Sequence, residues 1–273
     1  MLSTRAARYG MTLLGALALV CVVSSNAAAQ DAPVSVSGGV DVTNQYNFRG
    51  IRQNGSEASI WPWVDVAFAG YEGDGGLKSA GVNAGIWTAF NTELTDKWYE
   101  ADYYATLGLG FGGGVSLGTT YTSYTSPNDY FNHVKEIAFK LSVDDSDAAG
   151  QAAMNPYVTL AFELDDNGQA DGGAKKGKYL ELGVAPGFGG DSASVSIPVK
   201  VGLSVGDYYE HPVTGEDNKF GFFSIAGIVT VPLGEHWNAH GGAEYQKLGK
   251  TTKFFFDDKS NQGIASVGIG FSY

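Results

Sequence analysis

The sequence predicts an all-β fold, a transmembrane antiparallel up-and-down β-barrel of about twelve strands. Three observations predict it. Apolar and polar residues alternate with period two from residue 34 to the end, without a linker or a shift in composition. The alternating segments reach about fifteen residues, whereas soluble strands usually run to about five or six. At about 3.3 Å per residue, a tilted strand of that length matches a bilayer. Finally, 44% of residues are hydrophobic and 17% charged, yet beyond the first thirty no apolar run approaches the roughly 18 to 20 that a membrane helix needs.

Residues 1–29 read as a secretory signal peptide, leaving 30–273 as one barrel domain. Arg5 and Arg8 form the basic region, Met11 to Val23 the apolar one, and Ala27-Ala28-Ala29 the small-residue cleavage pattern. Cys21 is the single cysteine and leaves with that segment, so the mature chain is expected to lack disulfides and thiol chemistry. Bulky Val20 before it argues against lipidation. The formal charge of −12 becomes −14 once the two arginines are removed, which disfavours nucleic acid as a partner.

The first strand sets Val34, Val36, Val40, Val42, Tyr46 and Phe48 against Ser35, Ser37, Asp41, Thr43, Gln45, Asn47 and Arg49. The second sets Ile60, Val64, Val66 and Phe68 against Glu57, Ser59 and Asp65, and the third Val82, Ala84, Ile86 and Phe90 against Asn83, Trp87 and Asn91. The fourth sets Tyr99, Tyr103, Leu107, Leu109 and Phe111 against Glu100, Asp102, Tyr104 and Thr106. Further strands are predicted at about 115–124, 134–143, 156–164, 178–188, 193–207, 219–231, 236–248 and 263–273. The ninth alternates cleanly, with Val195, Ile197, Val199, Val201, Leu203 and Val205 on one face. The tenth, FGFFSIAGIVTV, is apolar on both faces, so its register stays open.

Alternate connections include compact ones, FGGG at 111–114, GFGG at 187–190 and PLGE at 232–235, with longer ones near 71–79 and 144–155. The opposite set tends to be longer and rich in Asp, Asn, Gly and Pro, the asymmetry of a transmembrane barrel with short periplasmic turns. Tyr46, Phe48, Phe68, Phe90, Phe111, Phe188, Tyr245 and Phe271 fall near strand ends on the apolar face and read as interfacial girdles. The last strand, ending on Tyr273, is similar to the signal by which the outer-membrane assembly machinery takes up its clients. Together these features place the protein in the outer membrane of a Gram-negative bacterium, among its lipids and lipopolysaccharide.

The stretch GGVDVTNQYNFRGIRQNGSEASIWPWVDVAF, with Tyr46, Phe48, Arg49, Gly50 and Ile51 closing the first strand, resembles the opening of the TorF-like porin family of outer-membrane proteins. YTSPNDYFNHVKEIAFKLSVDD, where Ser126, Pro127 and Asn128 form a turn, is similar as well, and the match covers about 34–145. The resemblance implies an outer-membrane barrel and a porin, without a known substrate. Arg52-Gln53-Asn54 departs from the family pattern, so no ligand role carries over to that loop.

Catalytic chemistry finds little support. None of His133, His211, His236 or His240 is followed two residues later by Ser, as an outer-membrane phospholipase pattern requires. His211, beside Glu210 and near Asp207, is the one local candidate for a protease-like pair and reads better as a solvated loop residue. His236 and His240 lie about 13 Å apart on a strand, too far for one metal ion. The acidic runs at 144–147 and 165–173 lack the spacing of a calcium loop. No enzyme activity, metal or cofactor is expected.

By parity the lumen is lined by Asp41, Arg49, Glu57, Asp65, Trp87, Glu100, Asp102, Glu136, Lys140, Glu163, Glu181, Lys200 and Glu244. Arg49 pairs with Glu57 across the hairpin or contacts an anionic solute. Trp61, Trp63 and Trp87 share the lumen parity and either fill the interior or stack on a ligand. Acid exceeds base, which suits a passive, cation-preferring channel for small solutes. The alternative is a barrel packed shut that serves structure or adhesion.

Overall fold

The computed structural model describes residues 34–273 apart from 56, 166 and 167, so the expected leader lies outside the described residues. Fourteen strand segments form one sheet. They make twelve staves: β1 (Val34–Thr43), β2 (Ser59–Glu72), β3 (Leu77–Asn91), β4 (Trp98–Phe111), β5 (Val115–Thr125), β6 (Val134–Val143) and β7 (Tyr157–Glu163); β8 (Lys178–Val184, continued by Gly187–Gly190); β9 (Ala193–Ser196, continued by Val199–Gly206); and β10 (Phe220–Pro232), β11 (Trp237–Leu248) and β12 (Asn261–Ser272). Each pairs antiparallel with its neighbours, and β12 closes on β1 with Val42 opposite Val267. Closure pairs the staves with one another around the barrel, as a bilayer demands of a β-structure, and the end segment Gly187–Gly190 pairs on one side alone.

β8 and β9 are interrupted where Pro186 and Pro198 cannot donate a ladder hydrogen bond. The register nevertheless continues, because Val184 faces Val199 and Gly187 faces Ser196. The GFGG segment expected as a turn is therefore strand, and the chain reverses at 191–192. Glycines lack the β-branching that marks a strand, which is why composition misplaces this turn.

The alternation becomes two faces. Val64, Val82, Leu107, Val229 and Val267 are 41, 50, 46, 46 and 63% exposed, members of an apolar belt that encircles the barrel and is far larger than water-soluble surfaces carry. The register of β10 resolves with Phe223, Ile225, Val229 and Val231 outside and Phe222, Ser224, Ala226 and Ile228 buried inside. Its inner apolar face has a use: the Phe222 ring lies against Gly50 and Gly202, where any Cβ would come within about 3 Å of it.

Candidate functional site: a loop folded into the lumen

The first strand stops at Thr43, not at Arg49 as its alternation suggests. Thr43 Oγ1 donates to the Gln45 carbonyl at 2.9 Å, turning the chain inward. A miniature hairpin follows, with Asn47 opposite Arg52 and Phe48 opposite Ile51. Its turn is Arg49-Gly50 at φ 48° and 81°, the doubly positive pair that two-residue hairpins use. Gly50 adopts this freely, but for Arg49 it costs about 1–3 kcal/mol. Contacts around Arg49 must supply that.

They do so from many sides of the barrel. The Arg49 guanidinium grips the Glu136 carboxylate of β6 with two bonds of 2.5 and 2.8 Å and donates to the Tyr208 hydroxyl at 2.8 Å. It also lies 4.2 Å from the Tyr179 ring centre on β8, a cation–π contact. The Tyr209 hydroxyl donates to the Arg49 carbonyl at 2.9 Å. Tyr46 donates to Glu100 of β4 at 2.7 Å and packs on Trp61 and Trp87 at 5.3 and 5.4 Å. Phe48 meets Tyr124 of β5 edge-on at 5.4 Å. Ile51 joins Tyr179, Tyr208, Tyr209, Phe222 and Leu248 in one cluster. The loop thus reaches into the lumen and contacts β4, β5, β6 and β8.

Two expectations are corrected here. Tyr46 and Phe48 are 2 and 7% exposed inside the barrel, so they are plug residues and not girdle aromatics. Phe68, Phe111, Phe188 and Tyr245 do lie exposed on the outside. Glu57, expected in the lumen, is exposed in the loop and does not bond Arg49, whose partner is 87 residues away. The alternation carries through Tyr46 and Phe48 whether they face lipid or plug, and a pairing that distant leaves no local trace.

Burial tends to lower the Arg49 pKa, but the Glu136 carboxylate outweighs it and holds the guanidinium charged. Burial, followed by the Glu100 and Asp102 carboxylates, lifts the Tyr46 hydroxyl well above its ordinary range, so it remains a donor. Loops at the same end of the barrel are held by buried carboxylates. Glu163 accepts from the amides of Ala170 and Gly177 at 2.7 and 2.5 Å. Asp171 accepts from the Glu210 amide at 2.6 Å, and burial pushes its carboxyl up to about 6. At the other end of the barrel, the Asp145 carboxylate accepts from the amides of Met154 and Asn155.

Except for Glu57, the residues assigned to the lumen by parity do face the interior. Asp41 meets His240 Nε2 at 2.6 Å, and Asp65 accepts from Asn83 at 2.7 Å. Glu181 accepts from Tyr157 and Tyr179 at 2.9 and 2.6 Å, and Glu244 from Gln246 at 2.9 Å. Lys140 lies 4.4 Å from the Tyr157 ring centre, and Lys200 5.7 Å from that of Phe222. Asp65, Trp87, Lys140 and Lys200 are half-buried, whereas Asp102 and Glu136 are 0 and 3% exposed.

Neither a family model nor a curated protein matches the chain. Solved structures similar to it include the NanC porin, with 12% identity, 88% of this chain and 98% of that chain covered, and a TM-score of 0.44. Outer membrane phospholipase A from Escherichia coli shows 13% identity, coverage of 86% and 92%, and a TM-score of 0.47. An anion-selective porin from Comamonas acidovorans shows 10%, 88%, 99% and 0.41 for the same quantities. The fold of this chain is carried by its own strand pairing.

The histidines part company in space. His236 stacks on the terminal Tyr273 at 4.3 Å, His240 binds Asp41, and His211 packs on Phe254 at 4.9 Å. His133 Nε2 lies 2.7 Å from Ser123 Oγ, on the exposed side of β5. A pattern with Ser two residues after His does not find this pair, because Ser123 precedes His133 by ten positions across a loop.

Proposed function

We propose that the chain is a TorF-like outer-membrane porin, delivered by a cleaved leader, in which the in-folded loop 44–58 leaves a narrow passage for small solutes. The observation that supports this most is the loop itself: a closed barrel with a lipid-type exterior holds inside its lumen a segment fixed by the Arg49–Glu136 and Arg52–Asp257 ion pairs and by aromatic contacts. Cations are favoured. Interior Asp41, Asp65, Glu100, Asp102, Glu136, Glu163, Glu181 and Glu244 outweigh Arg49, Lys140 and Lys200, and low-dielectric walls focus the residual negative potential. Reversal potentials of the reconstituted protein across a salt gradient should show cation preference that weakens in Asp65→Asn and as salt shortens the roughly 10 Å Debye length found at 0.1 M. Anion selectivity would refute the charge reading. The second reading, a shut structural barrel, is favoured by the near-complete burial of Tyr46 and Ile51, and the absence of any conductance would select it.

The protein is not proposed as an enzyme. Ser123 and His133 form a dyad, and no hydrogen bond to His133 Nδ1 is seen among the described residues; without an orienting partner the ring is not held as a general base. Phospholipid offered to the folded protein in micelles should remain intact. Hydrolysis that disappears in Ser123→Ala would bring the hydrolase reading forward.

A further inference from the structure

The geometry points to an inorganic cation site formed by Glu100 and Asp102 of β4, beside the in-folded loop. Both carboxylates face the lumen two residues apart and are 5 and 0% exposed. Outside its contact with the Glu100 carboxyl, neither Asp102 oxygen receives a hydrogen bond among the described residues. Its one carboxylate neighbour, Glu100, is itself an acceptor when ionised and receives a single bond, from Tyr46. The plug's Arg49 is committed to Glu136 by two bonds. Two buried carboxylates with one outside donor between them carry a desolvation cost when ionised, and no cationic side chain bonds either among the described residues.

A hard cation offsets it. Carboxylate oxygens are the donors that Ca²⁺ prefers, this pair offers up to four of them, and Ca²⁺ keeps water in its remaining positions. The flanks suit positive charge as well. In the sheet register Asp102 stands directly between Trp87 of β3 and Tyr124 of β5, whose ring faces are attractive to cations. The site binds its ion whether or not the barrel conducts, so this inference does not rest on the channel reading. It also ties cation occupancy to the plug, because Tyr46, the loop residue that bonds Glu100, would be held by the same cluster.

Trp87 allows a direct test, since a lanthanide bound beside an indole emits when the indole is excited. Titrated with Tb³⁺ in micelles, the native full-length barrel should give saturable, tryptophan-sensitised emission that excess Ca²⁺ abolishes. Asp102→Asn should weaken Tb³⁺ binding by at least about tenfold, while Asp191→Asn, in an exposed turn, should leave it unchanged. Glu100→Gln serves as the second variant if the first does not fold, with heat-modifiable gel mobility reporting folding. Emission with native affinity in a folded Asp102→Asn or Glu100→Gln would overturn the site and leave the pair sharing a proton. A native protein without Ca²⁺-competed emission overturns it whatever the variants do.

Discussion

Arg49→Met is expected to free the loop and raise conductance, with larger and noisier single-channel currents than the native protein. The substitution removes both bonds to Glu136 and the contact with the Tyr179 ring, leaving the Glu136 carboxylate, only 3% exposed, without its counter-charge. Breaking a buried ion pair from one side costs about 3–5 kcal/mol. The left-handed turn that Arg49 occupies loses its main support at the same time. The staves themselves make their hydrogen bonds without Arg49, so the loss should appear as a detached plug and not as an unfolded barrel. Glu136→Gln should act in the same direction but less strongly, since the amide still accepts one bond. If both variants conduct as the native protein does, the ion pair does not govern the passage.

A second large effect is expected on the outer face. Val64→Arg puts a guanidinium at the middle of β2, on the side where Val64 is 41% exposed to the surroundings of the barrel. Near the bilayer midplane that costs about 2–4 kcal/mol. Asp65→Arg, one residue along, turns the same group into the half-buried lumen and should assemble well. Heat-modifiable mobility after refolding into lipid vesicles reports the difference, and equal yields from the two variants would reverse the assignment of faces.

Most of this architecture is legible in the sequence because each stave repeats the same physical rule. A side chain pointing at lipid must be apolar, its neighbour points at the lumen, and one strand of β2's length displays the rule several times over. Asp41, Asp65, Asp102 and Lys200 are placed correctly by parity alone. What parity does not reveal is where a segment leaves the wall. Tyr46 and Phe48 keep the alternation going after the strand has ended, since an aromatic plug facing β2 to β5 has the same period as an aromatic girdle facing lipid. The turn signal was faint too, with Arg49-Gly50 standing where a hairpin usually shows Asn-Gly. For Arg49 the sequence offers nearby Glu57 or an anionic solute as partner, whereas closure of the barrel supplies Glu136. Its partner was a consequence of topology.

Chemical labelling tests the in-folded loop most directly. The expected mature chain has no cysteine, so a single thiol can be introduced without interference. Phe48→Cys places it inside the lumen, where Phe48 is 7% exposed, and Glu57→Cys places it on the exposed part of the same loop. With a bulky, membrane-impermeant maleimide applied to the folded barrel in vesicles, Glu57→Cys should react readily and Phe48→Cys should be strongly protected. Adding Arg49→Met to Phe48→Cys should remove the protection. Labelling of Phe48→Cys as fast as Glu57→Cys in the otherwise native barrel would contradict a loop folded into the lumen.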